Sequence, residues 1–307
     1  MTKEVELYRR HRPHKLSEVV GQAAAIAQLE KLLASGLPHA LLLSGPSGVG
    51  KTTIARILKS KLGCKSTDFC EINAAESRGI DTIREIEQSM GLAPMFGACR
   101  VWLLDEVHRL TGDSMSAMMK LLEDTPSHVY FMLATTDPQK LLKPILTRCT
   151  QIKLEPVNEK ALRDLLGSIL DAESVPDMDK DVVDTIIEVA DGSARKAIVI
   201  LQQVLGLPAN DRVDAVRKQD TTRTAVSLAK LLMSKGTRWQ DVAKTLKDIE
   251  DEPEQIRRQV LGYAAAVLTN GSNNGRAFYL LECFETPFYD SGKPGLVRAC
   301  YEVFGRG

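Results

Sequence analysis

One stretch restricts this chain more than any other. Residues 41–53, LLLSGPSGVGKTT, place an apolar run directly before Gly45-Pro46-Ser47-Gly48-Val49-Gly50-Lys51-Thr52, and a helical pattern follows. That is G-x-x-x-x-G-K-S/T between a strand and a helix, the setting in which the spacing has physical meaning. Glycines let backbone N–H groups turn inward around a β-phosphate where a larger residue would clash. Lys51 then meets the β- and γ-oxygens, and Thr52 offers its hydroxyl to Mg²⁺. The nucleotide-binding set read from this stretch is Gly45, Ser47, Gly48, Val49, Gly50, Lys51, Thr52 and Thr53.

The surrounding pattern agrees with that placement. HALLLSG (39–45), DFCEINA (68–74), CRVWLLDE (99–106), HVYFMLATT (128–136) and QIKLEP (151–156) read as short apolar strands. Helical patterns alternate with them, such as Ile80, Ile83, Ile86 and Met90 on one face. Alternation of this kind implies a parallel sheet covered on both faces. After Pro156 the chain turns amphipathic and helical, with Asn158 as an N-cap, and LPAN (207–210) reads as a linker. From Thr221 onward the pattern is helical, broken at SKGT, DEP, NGSNNG and DSGKPG. The expected division is an α/β phosphate-loop domain over 1–156, a small helical lid over 157–207 and an all-α domain over 208–307.

Forty Lys and Arg balance forty Asp and Glu in 307 residues, so no whole-chain field attracts nucleic acid or a membrane. Any nucleic-acid contact must come from a local patch. There is no long apolar run and no signal-peptide core, and the chain reads as cytoplasmic, in the host cytoplasm if it is viral. Six cysteines are scattered without a C-x-x-C pair and read as reduced core thiols.

A second acidic element completes the phosphate site. VWLLDEVH ends an apolar strand in Asp105-Glu106. Asp105 is placed to reach the Mg²⁺ shell. Glu106, expected to point across the pleat from it, can polarise an attacking water. FMLATTD ends another strand in Thr135-Thr136; either could bond the γ-phosphate or the water, and spacing favours Thr136. Arg195, in ADGSARKA near a helix start, could swing onto the γ-phosphate.

YRRHRP with VVGQ, the phosphate loop, RGIDTIRE, LLDEVHRLT, LLEDTPSHVYFMLATTDPQKLLKPILTRC and DGSARKA occur in this order. Together they resemble the AAA+ ATPase subunits of sliding-clamp loaders, the bacterial gamma/tau type above all, with NAAESRGIDTIRE also similar to replication factor C small subunits. The likeness covers about residues 1–205, and the all-α remainder matches as a collar would. The resemblance implies ATP and Mg²⁺ as cofactors, and walls of an adenine pocket at Tyr8, Arg9, Val19, Val20 and Gly21. It makes Thr136 and Arg195 the two sensors of the γ-phosphate. It makes Arg148, in Thr147-Arg148-Cys149, an arginine finger that completes a neighbouring subunit's site, with Glu106 and Lys51 as the other catalytic groups. A finger supplied in trans is worth roughly 10³–10⁵ in rate.

The implied partners are a sliding clamp, primer–template DNA and other loader subunits, with several copies in a pentamer. DNA would meet Arg78, Gly79, Ile80, Arg109, Thr111 and Ser114, through helix N-termini and cations that need no base reading. Arg78 could in addition restrain or free Glu106. The clamp is expected near SEVVGQ or APMFGA, with Met95 and Phe96 as candidates, and SAMMKLLED is read as core. Two departures from the gamma/tau pattern stand out. Only Cys64 and Cys70 occupy the place of its four-cysteine module, so no zinc is expected. The chain also stops after the collar, which points to a streamlined loader such as a bacteriophage version. A non-hydrolysing structural subunit and a branch-migration motor are the competing readings; the first has no need of Lys51, Thr52, Asp105 and Glu106 together.

Overall fold

The computed structural model describes residues 6–175, 178–218, 221–234, 236–249, 252–270 and 275–305. They form two compact units, Met1–Val213 and Asp214–Gly307. In the first, α1 (Leu7–Arg10) and α2 (Ala23–Ser35) precede β1 (Ala40–Ser44) and α3 (Lys51–Lys61). Then come β2 (Phe69–Asn73), α4 (Ile80–Met90), β3 (Arg100–Asp105) and α5 (Gly112–Glu123). β4 (Val129–Thr135), α6 (Lys143–Arg148) and β5 (Thr150–Lys153) complete the sheet, and α7 (Glu159–Ala172), α8 (Lys180–Ala190) and α9 (Ala194–Leu205) follow.

The strands lie in the order β2-β3-β4-β1-β5 and every pairing is parallel. Pleating sends alternate side chains to opposite faces. Leu41, Leu43, Val101, Leu103, Met132 and Ala134 therefore pack with Leu29 of α2 and Ile54 and Leu58 of α3. Leu42, Trp102, Leu104, Phe131 and Leu133 pack on the other face with Ile83 and Ile86 of α4 and Met118 and Leu121 of α5. SAMMKLLED is thus core, as read. Burying each such side chain stabilises by about 1.5–3 kcal/mol. Both faces are covered, so the polar ends of the strands are where a ligand can be reached.

The helices α7, α8 and α9 pack on one another, and α1 packs on α9. Asn158 caps α7 through a bond from the Ala161 N–H at 2.8 Å, as its position in the sequence requires. LPAN does not form an open linker. Only Leu207 and Pro208 separate the end of α9 from α10 (Ala209–Lys218), which Ala209 and Asn210 open. The second unit comprises α11 (Thr221–Met233), α12 (Trp239–Asp248), α13 (Pro253–Thr269), α14 (Gly275–Cys283) and α15 (Gly292–Gly305) around Leu228, Val260, Leu280, Phe284 and Leu296. The break read at NGSNNG lies mostly outside the described residues. All the cysteines are free; Cys64, Cys99, Cys149 and Cys300 are buried, whereas Cys70 is exposed on β2. Burial pushes the Cys149 and Cys300 thiols up to about 12, which keeps them protonated. Among the described residues no helix is long and apolar enough to cross a membrane.

Candidate functional site

The C-terminal ends of β1 and β3 open on one cleft of about 860 Å³, and β4 ends beside them, with Thr136 against Glu106. Ser47, Gly48, Val49, Gly50, Lys51, Thr52 and Thr53 form its floor, Asp105 and Glu106 one wall, and Ala194 and Arg195 another. Sequence-distant groups are brought together because three parallel strands end at the same edge. Gly50 has φ 109° and opens directly into α3, so the first-turn N–H groups of that helix face the cleft. Gly48, at φ 77°, lies against Ser193 and Arg195, where any side chain would clash. The Arg195 N–H donates to the Gly48 carbonyl at 3.2 Å, joining the start of α9 to the phosphate loop.

Lys51 is buried, and its Nζ donates to the carbonyls of Gly45 and Pro46 at 2.7 Å each. Burial lowers its pKa, against the opposing charges of Glu106 and Asp105. Burial, then the charge of Glu106, raises that of Asp105. A cation in the cleft would relieve Asp105. Gly45 itself does not line the cleft; its carbonyl holds Lys51 in place.

Glu106 differs from expectation. β3 ends at Asp105, and Glu106 adopts the left-handed conformation with φ 51° and ψ 41°. It is turned into the cleft by a strained backbone, not by strand alternation, at about 1–3 kcal/mol. The Thr136 hydroxyl donates to Glu106 Oε2 at 3.0 Å, and His108 Nδ1 lies 3.3 Å from the same oxygen. Thr135 and Thr136 are now told apart. Thr135 is fully buried, with its hydroxyl at 3.0 Å from His108 Nδ1 and accepting from the Asp137 N–H at 3.0 Å. Thr136 is the one at the acid.

Of the expected adenine walls, Tyr8, Val19 and Val20 line the cleft, and the Arg195 guanidinium lies 5.7 Å from the centre of the Tyr8 ring. Arg9 does not line it. Its Nε donates to Tyr8 Oη and faces Glu6, and it borders a separate shallow cleft with Arg12, His14 and Arg56. Gly21 is a strut, not a wall: at φ 72° its Cα faces Val157, and an added Cβ would lie 2.7 Å from Val157 Cγ1. Residues not singled out beforehand also line the cleft: His11, Arg12, Pro13, Glu18, Leu165 and Ile198. The first three sit inside RRHRP, whose basic character masked a structural use. Glu173 accepts from Arg10 Nη1 and pairs with His11 Nε2, each at 2.6 Å, so this arm is fastened beyond the end of α7. Leu165 and Ile198 are apolar positions of amphipathic helices and could be found only by knowing which face looks inward.

Arg148 is not among the residues that line the cleft of its own chain. It ends α6, pairs with Glu123 at the end of α5, and donates to the Pro144 carbonyl at 3.1 Å. The expected DNA residues form one neighbourhood. Gly79 is the N-cap of α4 and Thr111 that of α5, and the Arg78 carbonyl accepts from the Thr111 N–H at 3.2 Å and from Ser114 Oγ at 2.8 Å. Ile80 begins α4. Arg78, Arg109 and Thr111 are exposed, but Ser114 is fully buried and serves to knit the two helix starts. Met95 and Phe96 are 69% and 71% exposed on a loop whose N–H groups at Met95, Phe96 and Gly97 all donate to the buried Asp68 carboxylate.

Comparisons with known proteins were made against this geometry. The family described as DNA polymerase III, delta subunit, matches residues 65–158, and that of magnesium chelatase, subunit ChlI, matches residues 15–96. The DNA polymerase III subunit gamma of Buchnera aphidicola is 32% identical over 279 residues, 77% of this chain and 76% of that protein. Subunit tau of Salmonella typhimurium is 36% identical over 65% of this chain, and that of Bacillus subtilis 30% over 79%. This chain spans only 34% and 45% of those two longer proteins. Among solved structures, a Thermotoga maritima RuvB variant superimposes with a TM-score of 0.60 at 22% identity, over 85% of this chain and 91% of that one. At that identity the likeness speaks for the fold alone.

Proposed function

The chain belongs to the family of the DNA polymerase III gamma and tau subunits, and on that premise we propose that it is the ATP-hydrolysing motor subunit of a sliding-clamp loader. The fold is the AAA+ α/β fold. The observation that carries the reading is the cleft itself, where the phosphate loop, Asp105, Glu106 and Arg195 face one another. A subunit that only held nucleotide would not need a carboxylate turned by a strained backbone toward the phosphates. The division into a phosphate-loop domain, a lid and a collar belongs to this reading.

In this reading the phosphate loop binds the β- and γ-phosphates of ATP, Tyr8, Val19 and Val20 flank the base, and Glu106 accepts a proton from water attacking the γ-phosphorus. The Thr52 hydroxyl and the Asp105 carboxylate are hard oxygen donors on one cleft wall and floor, and suit Mg²⁺. Mg²⁺ there would supply charge neutralisation on the phosphates. Arg195 reports lid closure. Arg148 leaves Glu123 and reaches the γ-phosphate of a neighbouring copy, so turnover depends on assembly. The paired starts of α4 and α5, with Arg78, Arg109 and Thr111, meet DNA phosphates. Met95 and Phe96 meet the clamp.

ATP turnover per chain, measured at rising protein concentration with and without primed DNA, tests this. Turnover should climb with both, and Arg148→Ala chains mixed into wild type should poison it. Turnover that ignores concentration, DNA and Arg148→Ala would remove the trans finger and the loader mechanism with it.

A further inference from the structure

Four cations and an imidazole, with no carboxylate, line the shallow cleft beside the nucleotide site. Arg9, Arg12 and His14 form one wall, and Arg56 and Lys59 on α3 form the other. Arg56, Lys59 and Ser60 are three and four positions apart, so they share one face of that helix. Arg12 and Pro13 are common to both clefts; the remaining lining belongs to this one alone. In a chain with no net charge, such a concentration is a local feature that calls for a partner of opposite sign.

The partners these cations already have are weak ones. Arg9 faces Glu6 and Arg56 pairs with Glu71, both in solvent-exposed settings. Such pairs contribute about 0–1 kcal/mol. Arg12 and Lys59 enter no ion pair among the described residues, and Lys59 Nζ lies 5.2 Å from the centre of the Phe69 ring. Phe69 and Pro13 supply apolar surface between the charged walls. Backbone groups of α3 are bonded within the helix, so this wall offers side-chain charge and not a strand edge for a peptide. Cations on two sides of an apolar strip, with an aromatic ring among them, suit a phosphodiester backbone.

We propose that this cleft binds the phosphates of a single-stranded nucleic acid, at a site separate from the phosphate loop and from the paired starts of α4 and α5. The contact needs no base reading, and it does not rest on the neighbouring cleft hydrolysing ATP. A strand entering the cleft takes the Arg56 guanidinium from Glu71, exchanging one exposed ion pair for another.

Binding of a labelled oligothymidylate to the full chain, with excess ADP present, tests the site across a series of salt concentrations. Arg56→Ala combined with Lys59→Ala should weaken binding about tenfold at low salt. It should also reduce the slope of log affinity against log salt by about 1.4, from two cations at about 0.7 each. Lys59→Arg alone keeps the charge and should keep the slope. Ser60→Glu adds an acid to the same face without removing a cation, and should weaken binding severalfold. Melting temperature and ADP affinity should stay as in wild type throughout, which keeps misfolding out of the comparison. A double variant with wild-type affinity and slope overturns the inference. Polyglutamate or tripolyphosphate binding as tightly as the strand, with the same dependence on Lys59, overturns it as well, because the phosphodiester would not be what is recognised. Strand binding lost on Arg78→Ala but untouched by the cleft variants also overturns it, and leaves the proposed function standing. Turnover that fails its own test while strand binding still depends on Arg56 and Lys59 removes the loader reading and supports this site.

Discussion

The nucleotide edge of the sheet and the C-terminal unit are built by opposite rules. At the sheet edge, Gly45, Gly48, Gly50 and Glu106 all have positive φ within a few residues of the cleft. Lys51 is buried against carbonyls, and Asp105 is pushed toward neutrality. In the C-terminal unit, Gly292 alone among the described residues has positive φ, and Phe284, Leu280 and Leu296 are fully buried between regular helices. One region spends stability on groups poised for a ligand, while the other is packed for its own sake. Substitutions should therefore separate activity from stability according to region.

The largest separation is expected at Lys51. Lys51→Ala removes the cation assigned to the β- and γ-phosphates in the proposed function and should lower turnover by about 10²-fold or more, by analogy with the loss of one transition-state donor. The same change removes a cation that burial disfavours. Its melting temperature should therefore stay within about 3 °C of wild type. A steep loss of stability would break the comparison, because it would make the phosphate loop a structural element first.

Glu254 is the counterpart in the C-terminal unit. It is 4% exposed, pairs with Arg257 at 2.8 Å, and accepts from the Phe288 N–H at 2.8 Å. Burial raises its pKa, but the Arg257 bond, the Phe288 N–H and the charge of Arg257 together hold it below the ordinary 4.5. A carboxyl depressed on folding contributes stability that is fully present above its unfolded pKa and is lost as pH falls through the folded one. Stability of this unit should therefore drop as the solution is acidified below about pH 4.5. Glu254→Gln should lower stability at neutral pH by about 3 kcal/mol and flatten that acid dependence, with ATP affinity unchanged. Urea melts across pH, beside nucleotide titrations, would show it. A fall in ATP affinity equal to that of Lys51→Ala would erase the distinction between the regions.

The same contrast governs what the amino-acid order revealed. Regular elements were legible because periodicity and burial coincide: Leu41 to Leu43 alternate between two cores, β1 to β4 lie within the stretches read for them, and β5 starts one residue before its own. The phosphate loop was legible because its glycines and lysine are contiguous. Glu106 was identified, but its left-handed turn was not, since nothing local distinguishes it from one more residue of β3. Arg9 was misplaced because it sits in one unbroken polar run from Tyr8 to Arg12 with no apolar spacing to set a face, and only the packing of α1 on α9 decides which residues face the cleft. Ser114 read as a surface hydroxyl, and its burial depends on where the chain crosses at Arg78, a tertiary fact. The link from Thr136 to Glu106 joins two strand ends thirty positions apart, which no local pattern encodes.

The smallest expected effect concerns Arg148, the finger proposed for a neighbouring chain's cleft. Arg148 is paired with Glu123 across the ends of α6 and α5, both partly exposed. A pair in that setting contributes about 0–1 kcal/mol, so breaking it should leave melting almost unchanged. In the proposed mechanism, however, the two acceptors compete for one guanidinium: Arg148 would have to leave Glu123 before reaching a neighbour's phosphate. Glu123→Gln weakens the resting pair and should raise turnover at limiting protein concentration by about two- to threefold, with little change once assembly is saturated. Equal rates at low concentration would mean that the pair does not restrain Arg148. A lower rate would mean that Glu123 orients the arginine for its neighbour. The difference would then lie not between a poised region and a packed one, but between two ways of aiming the same side chain.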